Sequence, residues 1–170
     1  MKVILYIAIT PNGMVAKKDE DSDWTSEADN KSFIAKCREA SAVVMGRYTY
    51  EVLAPDNLPL EDGLQIVLAD TELEPPSNKV TRLNDEPQNI IKYVEEKNYK
   101  SVVIVGGAIT ASEFLQANLI DEIYLDIEPL LFSPGKMLTP EAFTIDCKLK
   151  LLEVKKLSEQ TVQLHYNVNK

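Results

Sequence analysis

Apolar positions along the chain fall into two alternating periods. Val3–Ile9 is a nearly unbroken apolar run, and Val43–Met45, Leu64–Ala69, Val102–Val105 and Ile120–Ile127 repeat the pattern. Short continuous runs of this kind predict strands buried on both faces, as in a parallel sheet. Between them the apolar spacing changes to three and four. Phe33, Ile34, Cys37 and Ala40 form the stripe of a helix opening at Ser26, with Glu27 and Asp29 in its first turn, where acids complement the dipole. Ile90, Ile91 and Val94 mark a helix from about Pro87 to Lys97, with proline at an early helical position. Helices are also predicted over Arg47–Leu53 and Ala108–Asn118, with a short strand near Val80–Leu83.

Punctuation supports these boundaries. Pro11-Asn12-Gly13 predicts a turn, Lys17–Trp24 a charged acidic loop, and Pro55, Pro59, Pro75-Pro76 and Pro129–Pro140 further loops. Leu149–Leu157 and Thr161–Val168 predict a closing hairpin around Ser158-Glu159-Gln160. In its second arm Val162, Leu164, Tyr166 and Val168 alternate with Thr161, Gln163, His165 and Asn167. That alternation puts His165 on a polar face, as a solvated residue. The order predicts an α/β fold of three layers. Its central sheet is mixed and mostly parallel, with helices on both faces and a C-terminal antiparallel hairpin. With 170 residues and no internal repeat, one domain spanning 1–170 is expected.

Two junctions carry candidate chemistry. Val102–Val105 runs into Gly106-Gly107 and then a helix, and Val43–Met45 runs into Gly46 and the helix that starts at Arg47. Unpaired amides at a helix start favour an anion, and glycine lets a phosphate approach the backbone. Taken alone, the diglycine is better explained by a turn that needs glycine for its own geometry. Arg47 shifts the balance, because a cation in a first helical turn opposes the dipole unless it shares an anion with it. Two such units suit a ligand with two phosphates, such as a dinucleotide.

Charge narrows the partners. Lys and Arg total 18 against 27 Asp and Glu, a net charge of −9. A field of that sign repels nucleic acid and anionic membranes. One histidine and two distant cysteines, Cys37 and Cys147, supply neither a metal site nor a disulfide framework, and a reduced cytoplasmic setting is expected. No apolar run has membrane-spanning length, and a strand beginning at Val3 leaves no room for a signal peptide.

Met45-Gly46-Arg47-Tyr48-Thr49-Tyr50-Glu51 resembles the glycine–arginine–threonine segment of dihydrofolate reductases and their relatives. Val105-Gly106-Gly107, followed by Leu119-Ile120-Asp121-Glu122-Ile123, is similar to that superfamily's second signature. Thr10-Pro11-Asn12-Gly13 stands where the group carries Ser-x-Asp-Gly, and Pro129–Gly135 matches its later proline, apolar run and glycine. The nearest resemblance is to the reductase domain of the riboflavin-pathway bifunctional deaminase–reductase and its stand-alone relatives.

That resemblance implies a mostly parallel sheet with an antiparallel last strand, and NADPH as hydride donor. Gly46, Arg47, Tyr48 and Thr49 would meet cofactor phosphates. Val105, Gly106, Gly107, Ala108, Ile109 and Thr110 would cradle the pyrophosphate, and Ala8 and Ile9 would lie by the nicotinamide. Thr10, Asn12 and Trp24 would face the substrate, with Thr10, Asn12 and Glu27 as the catalytic candidates. Asp23 or Glu27 could supply a proton if protonated or through water. Dihydrofolate reductases carry a carboxylate near the start of the first long helix, a neighbourhood shared here by Glu27 and Asp29. The resemblance also implies a homodimer, which the apolar face of the hairpin favours. The expected function is reduction of a small substrate, of the 5-amino-6-(5-phosphoribosylamino)uracil reductase type. True dihydrofolate reduction and dinucleotide binding without catalysis are the alternatives. Asp70-Thr71-Glu72, after the third predicted strand, stands where a 2′-phosphate reader would be expected. Arg47 is therefore the main candidate for that phosphate, with Lys79 or Arg82 in reserve.

Overall fold

The computed structural model describes residues 1–18, 24–53, 57–73 and 77–170. Asp23, Pro55 and Pro75-Pro76 lie outside the described residues. Strand β1 (Lys2–Ile9) is buried from Val3 to Ile7 and leads through the Pro11-Asn12 turn to the short β2 (Met14–Lys17). Helix α1 (Glu27–Ala40) starts at Ser26, whose hydroxyl accepts from the Asp29 amide, and ends at Ser41 in the left-handed conformation. Strand β3 (Ala42–Gly46), helix α2 (Arg47–Leu53), β4 (Leu64–Leu68) and β5 (Thr81–Leu83) follow. Helix α3 (Pro87–Glu96), β6 (Ser101–Ile104), α4 (Ala108–Gln116) and β7 (Glu122–Ile127) continue the alternation. The three-residue β8 (Gly135–Met137) precedes the hairpin of β9 (Lys148–Lys156) and β10 (Val162–Asn169).

Eight strands form one sheet in the order β5-β4-β3-β6-β1-β7-β10-β9. The first six run parallel, and β10 returns antiparallel to both β7 and β9. Chain order explains the two helix layers. From β1 the chain moves outward through β3 and β4, and then it returns to β6 and crosses β1 to reach β7. Right-handed crossovers running in opposite directions put their helices on opposite faces. Accordingly Cys37 and Ala40 of α1 and Tyr50 of α2 pack with Val43, Met45 and Val103 on one face. Ile90 and Val94 of α3 and Ala111 and Phe114 of α4 pack with Val44, Ile104 and Ile123 on the other.

Three expectations are corrected. The Pro129–Pro140 segment is not all loop, because β8 within it pairs with β2 as a separate ribbon. His165 is not solvated. Its side chain is 15% exposed, its ring stacks on Tyr124 at 4.0 Å, and its Nε2 lies 3.0 Å from Glu122. The nominally polar face of β10 is in fact an inner one, with Thr161 and Gln163 buried. The hairpin's other strand is open to solvent: β9 is exposed throughout, with Leu149, Leu151 and Val154 uncovered. No helix among the described residues is long and apolar enough to cross a membrane.

Candidate functional site

The C-terminal ends of the parallel strands converge where the sheet changes direction, the usual location of ligand sites in such sheets. Strand β6 pairs with β1 only as far as Leu5, whereas β1 runs on to Ala8 and Ile9 beside β7. The chain leaves β6 through Val105, Gly106 and a cis peptide to Gly107. Beside it, the Gly46 amide donates to the Gly106 carbonyl at 2.8 Å. A Cβ at Gly46 would stand 2.8 Å from the Thr110 hydroxyl, so glycine is what lets β3 and the first turn of α4 meet. Gly106 has φ +103°, a conformation that L side chains rarely adopt.

This close approach makes a cradle. Helix α4 opens at Gly107 with no side-chain cap, and the first amides of a helix lack intrahelical partners. Above the diglycine there is room: a Cβ at Gly107 would find nothing nearer than the Thr49 hydroxyl at 3.8 Å. Backbone amides, a hydroxyl and open space over two glycines fit a pyrophosphate. Ile109 stands exposed at the same helix start, while Val105, Ala108 and Thr110 are buried beneath. The structure thus brings together Gly46, Thr49 and the segment from Val105 to Thr110.

Arg47 reaches this region already partnered. Its guanidinium lies 3.1 Å from Glu51 and 4.6 Å from the centre of the Tyr48 ring, and Lys136 of β8 stands 5.4 Å from the same ring. Tyr48 is half exposed between them. Arg82 is paired with Glu72 at 3.3 Å, and Asp70 and Lys79 face solvent.

Of the expected substrate contacts, Thr10 and Asn12 are bound to each other and to the turn. The Thr10 hydroxyl donates to Asn12 Oδ1 at 2.7 Å and accepts from the Met14 amide at 3.0 Å. Asn12 Nδ2 in turn donates to the Phe132 carbonyl at 3.1 Å. Thr10 is fully buried, so these two side chains brace the turn against the 130s loop. Trp24 packs edge-on against Phe132 at 5.4 Å. Its indole Nε1 is buried without a partner among the described residues.

Glu27 is corrected as a catalytic candidate. Its side chain is 82% exposed and pairs with Lys31 at 2.8 Å, and Lys31 holds the carboxyl below its usual range. An exposed carboxylate held ionised by a lysine is not poised to give up a proton. Asp29 is the buried acid of the same turn. It is 7% exposed, and its Oδ1 is buried with no partner among the described residues. Two helical residues span about 200°, so the acids point to opposite sides of α1. A legible signal separated them: Asp29 shares the stripe of Phe33 and Cys37, while Glu27 stands four residues before Lys31.

Asp29 belongs to a buried polar cluster that sequence reasoning did not assemble. The Tyr6 hydroxyl donates to Asp126 at 2.5 Å, and Gln163 Nε2 donates to Asp126 at 2.8 Å and to Ser32 at 3.0 Å. Burial, then the hydrogen-bonded Asp126 and the charge of Glu128, push the Asp29 carboxyl up to about 8. Burial likewise raises Asp126, offset by its bonds to Tyr6, Gln163 and Asp29. Two adjacent carboxyls in a dry site cannot both ionise cheaply, so they share a proton.

Comparison with known proteins agrees with this geometry. The family model for the RibD C-terminal domain matches residues 1–163. The uncharacterized protein YwjB of Bacillus subtilis is 30% identical over 171 residues, covering 97% of each chain. Dihydrofolate reductase of Drosophila melanogaster is 30% identical over 128 residues, 71% of this chain and 70% of that one. The crystal structure of a candidate riboflavin biosynthesis protein from Shewanella sp. PV-4 superposes with a TM-score of 0.84, at 24% identity and over 100% of both chains. Fold and matched length agree, and the chain belongs to the RibD C-terminal domain family, with a dihydrofolate reductase-like fold.

Proposed function

We propose that this chain is an NADPH-dependent reductase of a small heterocyclic substrate, of the 5-amino-6-(5-phosphoribosylamino)uracil reductase type. One juxtaposition carries the proposal: an open diglycine cradle and a buried carboxyl with one unpartnered oxygen, Asp29 Oδ1, at the same end of one sheet. Gly106, Gly107 and the α4 amides hold the dinucleotide's diphosphate, with Thr49 beside them, and Arg47 reads the 2′-phosphate. Ala8 and Ile9 form the wall beside the nicotinamide. Bound there, the dinucleotide supplies a hydride. Asp29 holds the proton that balances hydride addition to a C=N or C=O bond, and Trp24 Nε1 and Asp29 Oδ1 orient the substrate. Phe132 and Trp24 keep that end dry.

Asp29 also favours a second reading, dihydrofolate reduction, because a helix-borne carboxylate is what that activity uses. Screening the purified protein for NADPH oxidation against the ribosylaminopyrimidine, dihydrofolate and simple carbonyl compounds decides between them. Turnover of dihydrofolate alone selects the second reading. Tight NADPH binding with no turnover selects a binding protein without catalysis.

Arg47 gives a sharper test. Wild type is expected to bind NADPH about tenfold tighter than NADH, and Arg47→Ala to lose that preference. Equal or tighter NADH binding by wild type refutes the assignment, since Glu51 would then neutralise Arg47 in the complex as well.

The partner proposed for the hairpin is a second copy of the chain. Leu149, Leu151 and Val154 are exposed on the face they share with Leu164 and Tyr166, a poor surface to leave in water. Sedimentation should show a dimer at micromolar concentration that Leu151→Glu converts to monomer. A monomeric wild type ends this proposal.

A further inference from the structure

Two cations reach one tyrosine ring from distant parts of the chain. Arg47 of α2 lies 4.6 Å from the centre of the Tyr48 ring, and Lys136 of β8 lies 5.4 Å from it. The ring is half exposed, and the next residue, Thr49, borders the diglycine with its hydroxyl. A ring attracts cations only weakly where water competes, and two like charges brought together repel. Tyr48 alone therefore does not account for the pair. An anion shared between them does.

The ribbon of β2 and β8 sets where Lys136 stands. Lys136 pairs with Ala16 of β2. A Cβ at the preceding Gly135 would stand 2.8 Å from the Ala16 carbonyl oxygen, so glycine is what lets the two strands close. Beyond Lys136, the Leu138 amide donates to the Gly13 carbonyl at 3.1 Å, and the Leu138 carbonyl accepts from the Ser112 hydroxyl of α4 at 3.2 Å. The three-residue strand is thus fastened both to the turn after β1 and to the cradle helix. From there the half-buried Lys136 side chain carries its ammonium toward α2.

A phosphate monoester carries roughly two negative charges at neutral pH. Arg47 brings one positive charge and shares it with Glu51 at 3.1 Å, so a 2′-phosphate needs a second cation. The cations that follow β4 are poorly placed to supply it. The Lys79 carbonyl accepts from Gln65 near the start of β4, whereas Gly46 pairs with Leu68 at that strand's other end. Arg82 lies on β5, the outermost strand beyond β4, and pairs with Glu72 at 3.3 Å. We propose that Lys136 is the second cation: it closes with Arg47 on the 2′-phosphate at the Tyr48 ring, which makes a residue of the ribbon a determinant of cofactor specificity. The inference rests on NADPH lying in the cradle as proposed above.

Calorimetric titration with NADPH and with NADH tests this without turnover. Lys136→Met should weaken NADPH about tenfold, to the affinity of NADH, and move NADH by less than about twofold. Lys136→Arg keeps the charge and should keep most of the preference. Because the two cations share one phosphate, adding Arg47→Ala to Lys136→Met should weaken NADPH no further. A loss of about 100-fold in the double variant would mean two separate contacts and overturn the shared clamp. A Lys136→Met protein that keeps the wild-type preference overturns the proposal and leaves the phosphate to Arg47. Equal weakening of both cofactors overturns it too, since the lysine would then serve the diphosphate or the ribbon itself. Wild type that binds neither cofactor removes the cradle reading, and this inference with it. A Lys136-dependent preference in a protein that turns nothing over supports the role of Lys136 and defeats the reductase reading instead.

Discussion

Asp29→Asn is expected to lower turnover by about 10²- to 10⁴-fold, the usual contribution of a positioned general acid, while making the protein more stable at high pH. The stability effect follows from the direction of the shift. The Asp29 carboxyl rises from 3.8 to about 8 on folding, chiefly because burial penalises its charge. Between those values the folded protein binds more protons at this site than the unfolded chain does. Stability from this site is therefore complete below the lower value and is lost as pH rises through the upper one. Asparagine fills nearly the same volume and cannot ionise, so it removes that loss. Above pH 8 the variant should gain on the order of 2 kcal/mol, the scale of an unsatisfied buried group. Near pH 4 the difference should vanish. Urea denaturation of both proteins at pH 4, 6 and 9 measures it. A variant less stable than wild type at pH 9 would contradict the raised proton affinity, whatever the activity did.

This coupling of stability cost to function explains what the sequence made visible and what it hid. Elements set by local chemistry were legible. The Ser26 cap, the apolar stripe of α1 and the limits of α2 at Arg47 and Leu53 follow from neighbouring residues. The central strands were legible because burial on both faces leaves continuous apolar runs. The ribbon was not: β8 is three residues long and pairs with Met14–Lys17 from more than 100 residues away. No local pattern specifies a partner at that distance.

The polar face of β10 failed for a different reason. Alternation divides a strand into two faces without saying which of them meets water. Thr161 and Gln163 are inside because Glu128 and Asp126 are inside, each buried acceptor answering a buried donor. Reading that from sequence requires knowing that β10 lies beside β7. Glu27 and Asp29 are the milder case, because the stripe of Phe33 and Cys37 carried the register that separates them. Both suit a first helical turn, and only the helical register distinguishes the solvent-facing acid from the one aimed into the sheet. Thr10 and Asn12 were expected to face the substrate. Their hydrogen bonds are spent on each other and on the loop at Phe132, which assigns them to holding the turn.

The cofactor cradle yields the other large effect. Gly107→Val should reduce NADPH affinity by about 100-fold or more, close to 3 kcal/mol, with little change in thermal stability. The two glycines are unequal in this respect. Gly106 has φ +103°, so a side chain there strains the backbone, and its loss would report on folding. Gly107 has φ −72°, which any L residue adopts, and a Cβ there meets nothing closer than 3.8 Å. The protein tolerates the first carbon; a diphosphate lying on the α4 amides does not tolerate the two methyl groups beyond it. Gly107→Ala should fall between, losing affinity without losing the site. NADPH and NADH should weaken together in both variants, because the diphosphate is common to them and the 2′-phosphate is not. Selective loss of NADPH would move the contact to the adenosine end. Undiminished binding of both cofactors by folded Gly107→Val would show that the diphosphate lies elsewhere, leaving the diglycine only the task of bringing β3 and α4 together.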